Sequence, residues 1–233
     1  MSTAPTKLEE PPRKKRLAAR LFVVFLLVLI VVLVGAVRQM LRTFDLMRIH
    51  NDVHWVSLAL HRYHDQHGHF PPVVEIDEQG KPKHSWRTLI EPSLETSDTH
   101  FRLSSYDFAQ PWDGEANRAS IHEHRFGDFP FQLLAVVGPH AAWSPTGPRK
   151  FEEFKDGAGN TIMVIGVRDT GIAWNDPRDA VFDGTDILIN GRRLEPNQRI
   201  FAIFADGTVR YGIYHQNMTP FFTIDAGDTV PEW

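Results

Sequence analysis

Residues 21–37 read LFVVFLLVLIVVLVGAV, seventeen positions without a charge or a strongly polar group. Few soluble cores hold such a run. A backbone in lipid must satisfy its own hydrogen bonds, so the stretch is predicted to be a membrane-spanning helix despite its many valines and isoleucines. At 1.5 Å rise per residue it covers about 25 Å, short of the roughly 30 Å hydrocarbon core. Leu17, Ala18 and Ala19 lengthen the apolar run, and Arg20 and Arg38 can snorkel to the headgroups, so residues 21–38 are taken as the span. No proline separates it from residues 38–67, which are amphipathic and end at Gly68 and the pair Pro71-Pro72. One long helix is expected, apolar throughout its first half and two-faced in its second.

Charge sets the expected orientation. Lys7, Arg13, Lys14, Lys15, Arg16 and Arg20 precede the span against Glu9 and Glu10, and Arg38, Arg42 and Arg48 follow it. The positive-inside rule then places residues 1–20 in the cytoplasm as a disordered basic tail. Residues 39–233 become an exported domain, periplasmic or extracellular, on a single-pass protein of the inner (cytoplasmic) membrane. Membrane lipid is the partner of residues 21–38. A cleaved signal peptide ending near Ala36 is the alternative, but the apolar run exceeds the roughly 7–15 residues of a signal core. From residue 39 onward the chain has 27 acidic and 18 basic residues. That balance excludes a nucleic-acid partner, where phosphate contacts need clustered Lys and Arg. The chain has no cysteine, which removes disulfides, thiol chemistry and cysteine metal sites.

In the second half of the helix, Ile49, Val53, Val56, Leu60 and Tyr63 recur at helical spacing and predict a buried stripe across residues 39–67. Met40, Phe44 and Met47 are expected to continue it toward the membrane. The stripe calls for a partner, either a sheet of the same chain or another envelope protein or pilin-like subunit. His50, His54 and His61 fall on one flank beside the stripe. A His-x-x-x-His pair can hold zinc, but here no Glu adjoins it, so a solvated flank is expected and no metal is assigned. His64 and His67 are expected to bond to the domain.

Gly68 suits a helix C-terminus because it accepts positive φ. A short strand is predicted over Val73–Ile76, a turn over residues 77–80, and a short helix capped by Ser85. One or two strands are expected over residues 126–137, then a surface loop over residues 138–148 that carries Trp143. Thr161–Ile165 reads as a central strand, and Ile200–Phe204 with Thr208–Tyr214 as a hairpin around Asp206-Gly207. The fold class is α+β: the long N-terminal helix packed on an antiparallel β-sheet with long loops.

Several blocks stand out in order. Leu58-Ala59-Leu60-His61-Arg62-Tyr63-His64-Asp65-Gln66-His67-Gly68-His69-Phe70-Pro71-Pro72 comes first, then Ser85-Trp86-Arg87, then Pro111-Trp112-Asp113 with Asn117-Arg118. Asp156-Gly157 with Asn160-Thr161-Ile162 follows, then Trp174-Asn175-Asp176-Pro177 with Asp179, and finally Phe204-Ala205-Asp206-Gly207-Thr208-Val209-Arg210. Together they resemble the DUF1559 family, pilin-like proteins typical of planctomycetes and without an established biochemical function. The resemblance implies a layout like that of type IV pilins and secretion pseudopilins. The Gly-Phe-Thr-Leu-x-Glu processing site of many members has no counterpart here, and no Glu lies in the apolar run. A membrane-anchored subunit that does not polymerise is therefore expected.

No Gly-x-Ser-x-Gly, phosphate loop or His-Glu-x-x-His occurs, so no catalytic residue and no cofactor are assigned. Asp113, Asp156, Asp176 and Asp206 adjoin Gly or Pro, and they and Asp179 are expected to bond to backbone N–H groups in turns. Calcium at Asp156 and Asn160, or at Asp183 and Asp186, is a lesser alternative. Trp112 and Trp174 are expected in the core, and Trp143 is the one candidate ligand contact. The expected function is that of an exported structural or interaction protein, not an enzyme. The alternatives are a glycan- or peptide-binding module at the cell envelope and a carboxylate-dependent hydrolase.

Overall fold

The computed structural model describes residues 13–94, 106–118, 131–225 and 227. The chain divides into two compact units, Met1–Ile49 and His50–Trp233. Helix α1, Arg13–His67, contributes to both. In the first unit, Arg20–Leu41 has a mean hydropathy of 3.1 and is long and apolar enough to cross a membrane. Its large apolar side chains from Leu21 to Val37 are exposed, from 43% at Val34 to 70% at Val31.

In the second unit, α1 buries Val53, Val56, Ala59 and Leu60 completely, as the helical spacing predicts. The stripe does not extend as far as expected, because Met40 and Met47 are exposed. Nothing is described of the side chains of Phe44 and Ile49. Gly68 takes φ +75° and donates its N–H to the His64 carbonyl at 2.7 Å, which ends the helix.

The chain then forms a small hairpin, β1 (Val74–Ile76) with β2 (Pro82–Ser85), followed by the single-turn helix α2 (Trp86–Leu89). The turn between β1 and β2 is built on Asp77, which accepts from the N–H groups of Gln79 and Lys81. Helix α3 (Glu115–Arg118) precedes the main sheet. That sheet contains β3 (Phe131–Val137), β4 (Ile162–Arg168), β5 (Ala180–Phe182), β6 (Ile187–Ile189), β7 (Arg192–Arg193), β8 (Arg199–Phe204) and β9 (Val209–Tyr214). Their spatial order is β7-β6-β5-β3-β4-β8-β9. The expectation for residues 126–130 lies outside the described residues.

The sheet is mixed, not antiparallel as expected. β3 pairs parallel with β5, Val136 opposite Ala180, while every other pairing in the main sheet is antiparallel. The cause lies in residues 169–179, which carry the chain from β4 across to the far edge of β3 instead of turning it back beside β4.

Each face of the sheet has its own core. Leu133, Ala135, Phe201 and Ile203 face one cluster together with Val53, Val56 and Leu60 of α1. Leu134, Val136, Ile200, Ala202 and Phe204 face the other. This is the period-2 alternation of strand side chains. In β4 a register shift between Ile162 and Val164 puts both Met163 and Val164 on the α1 side. The second cluster is closed by Met218, Phe221 and Phe222 from two 3₁₀ turns after β9. β4 is therefore buried on both sides, which accounts for its unbroken apolar sequence.

Leu60 is the test of helix-on-sheet packing. Leu60→Ala should lower the stability of the domain by about 2–5 kcal/mol, measured by chemical denaturation of the full chain in detergent. A loss below about 1 kcal/mol would show that this face carries little of the core energy.

Candidate functional site

Ser85 begins the principal cluster of signature residues. Its backbone is extended, and its hydroxyl accepts from the Thr88 N–H, so it caps α2 as expected. The cap points Trp86 and Arg87 inward, where both are buried. Arg87 meets Asp179 as a two-armed fork: Nη1 donates to Oδ2 at 3.2 Å, and Nη2 lies 3.0 Å from Oδ1. The two side chains are 2% and 3% exposed. Nη2 also donates to the Arg178 carbonyl at 2.8 Å. The carboxylate receives two further donors, the Ala135 N–H at 2.7 Å and the Trp86 indole N–H at 3.2 Å. Burial pushes the Asp179 carboxyl up to about 7, while Arg87 and the two N–H donors pull it back. Burial likewise lowers Arg87, though a guanidinium keeps its proton.

Asp179 is thus not a turn aspartate as the sequence suggested. It joins α2, the start of β5 and an N–H of β3 directly before the parallel β3–β5 pairing begins. Three of the four donors meet Oδ1 and one meets Oδ2, and the side chain is 3% exposed. Asp176 does behave as expected, accepting from the Arg178 N–H at 2.9 Å, and it also pairs with the Arg178 guanidinium.

Trp143 needs a correction. Residues 138–148 were expected to be a surface loop, and this ring its ligand contact. Instead Ala141, Ala142 and Trp143 are buried, Trp143 with 3% exposed. Its indole N–H donates to the Met163 carbonyl at 2.8 Å, and its ring lies 5.2 Å from Trp86. The breakers that suggested a loop in fact fold the chain back beside β3, where Val137 bridges Trp143. Trp174, as expected, is in the core, 6.4 Å from Trp86. Trp112 is only half-buried.

A second cluster fastens α1 to the β8–β9 hairpin. Ser57 donates its hydroxyl to the Gly207 carbonyl at 3.0 Å. The His61 ring sits with Nδ1 2.8 Å from the Ser57 carbonyl and Nε2 3.1 Å from the Ala205 carbonyl. Gly207 has φ +90°, and a Cβ there would stand 3.1 Å from His61 Cε1. Asp206 accepts from the Thr208 N–H at 2.9 Å and so closes the turn, and Val209 opens β9 opposite Ile203. It is therefore His61, expected on a solvated flank, that bonds to the domain. His64 packs between Phe70 and Phe151, and burial lowers its pKa. His67 is exposed and stacks on Tyr63. Ser57 was missed because a lone serine in an apolar stripe carries no sequence signal.

The remaining signature residues also bond within the fold. Asn117 is fully buried, accepts from the Asp107 N–H at 2.7 Å, and donates to the carbonyls of Asp107, Gln110 and Pro111. At Asp113 it is the carbonyl that accepts, from Arg118. Phe70 is buried and Pro71 lies beside it, while Pro72 and Pro177 are half-buried. Asn160 donates to the Asp156 carbonyl, and Thr161 donates its hydroxyl to the Gly157 carbonyl. Asp156 accepts from Thr223 and Gly227, and Asp183 from Thr185 and Asp186. Among the described residues, no group of three or more His, Asp or Glu converges as a metal centre would.

A family model described as "Protein of unknown function (DUF1559)" matches residues 47–137, about 40% of the chain. The match takes in the blocks around His61, Trp86 and Asn117. The blocks around Asp156, Trp174 and Asp206 fall beyond it. No curated protein and no solved structure matches the chain.

The clasp on the hairpin predicts a specific sensitivity. Gly207→Ala meets both the positive φ and the His61 ring, and should cost about 1–3 kcal/mol of stability in denaturant unfolding. An unchanged midpoint would mean that the hairpin is not held against α1 by this contact.

Proposed function

We propose that the chain is a single-pass membrane protein whose basic end faces the cytoplasm and whose domain, residues 50–233, is exported to act as a structural or interaction module. The carrying observation is the run Arg20–Leu41, whose 18-residue apolar window is 0% buried. The family match is in keeping with a membrane-associated protein of DUF1559 type. Orientation rests on the six basic residues before the span and on the excess of acid after it.

A non-catalytic role is favoured by where the signature goes. Arg87, Asp179, Asn117, His61 and Gly207 all serve internal hydrogen bonds and close packing. Enzymes more often aim such groups into a cleft. A helix backed by a sheet, following directly on an apolar span, is also the layout that the resemblance to pseudopilins implies.

Protease added to intact spheroplasts should remove the domain beyond residue 50 and spare an N-terminal fragment that includes the span. A domain protected until the membrane is opened would reverse the orientation.

A further inference from the structure

His50 and His54 stand one turn apart on α1, both exposed, with their Nε2 atoms 3.1 Å from each other. The spacing alone suggests a solvated flank. The convergence of the two nitrogens on one point does not follow from spacing. Two imidazole nitrogens bound to one ion at about 2.0–2.1 Å stand about 2.9 Å apart in cis square-planar geometry and about 3.3 Å apart in tetrahedral geometry. The observed separation falls between these values.

The pair is also held in place. The His50 ring stacks on Tyr211 of β9, with centroids 4.6 Å apart and planes 24° from parallel. Tyr211 in turn packs on Phe201, a buried residue of β8, and its hydroxyl donates to the His50 carbonyl at 3.4 Å. His50 is thus steadied by the sheet while its Nε2 stays at the surface beside His54. Burial, and then the neighbouring His50, lower the pKa of His54.

We propose that His50 and His54 form a surface site for one divalent transition-metal ion of the zinc and copper kind, with Tyr211 as a positioning residue. Two neutral nitrogen donors suit zinc, nickel and copper and are poor ligands for magnesium or calcium, which take oxygen. Two protein ligands leave the other coordination positions open to solvent or to a donor from outside the chain. In the absence of metal, the same two nitrogens can share a single proton in an N–H···N bond.

The test is calorimetric titration of Zn²⁺ into the full chain in detergent micelles. One ion should bind per chain with micromolar affinity. His50→Gln and His54→Gln should each weaken binding at least about tenfold. Both are exposed positions where folding is not at stake. Tyr211→Ala should weaken binding several-fold, and Tyr211→Phe should retain it because the stacked ring remains. His67→Gln, a surface histidine outside the pair, should bind as the parent does. Absence of saturable Zn²⁺ binding, or unchanged affinity in His54→Gln, would overturn the proposal.

Discussion

The buried fork between Arg87 and Asp179 is the constraint on which the arrangement of the second unit depends. Placing two opposite charges where their side chains are 2% and 3% exposed is costly unless both are fully bonded. Here each bond recruits a different part of the chain: α2 through Arg87 and Trp86, β3 through the Ala135 N–H, and the approach to β5 through Arg178 and Asp179. The charge pair fixes the point where β5 meets β3, and hence the parallel β3–β5 pairing. A hydrophobic contact would fill the same volume without specifying that register.

The other signature residues extend this logic outward. Ser57 and His61 hold α1 to the β8–β9 turn, and Gly207 is the residue that lets the backbone come so close. Asn117 organises a loop by meeting four backbone partners with one amide. Trp86, Trp143 and Trp174 gather above β3 and β4, where indole rings supply large apolar area and Trp143 also satisfies a strand carbonyl. These polar side chains are bonded within the fold, while the His50–His54 pair and the apolar run of α1 are exposed.

Much of this was legible in the sequence, for physical reasons that differ from element to element. Val53, Val56 and Leu60 declare themselves by helical period, and Thr161–Ile165 by an apolar run after a turn. Asp206-Gly207 announces its hairpin because few residues accept positive φ. The parallel join of β3 to β5 was not legible, because it depends on Asp179 reaching Ala135 across 44 positions of sequence. Trp143 was misread for a related reason: proline and glycine mark a change of chain direction, but not whether the segment lands on the surface or on a core. Met40 and Met47 stay exposed because, at about 100° per residue, they fall on the side of the helix opposite Val53, Val56 and Leu60. The His50–His54 spacing was visible in the sequence, but its support by the Tyr211 ring from β9 was not.

The central claim is that the signature builds the fold, and that Arg87 and Asp179 act as one unit within it. A double-mutant cycle tests this directly, using Arg87→Met, Asp179→Leu and the combined variant, with unfolding of the full chain in detergent followed in denaturant. Each single change strands a buried charge and should cost about 3–5 kcal/mol. The combined change removes both charges and should cost clearly less than the two singles together, a coupling of at least about 2 kcal/mol. Additive losses would contradict the claim and show that the two side chains stabilise the domain independently.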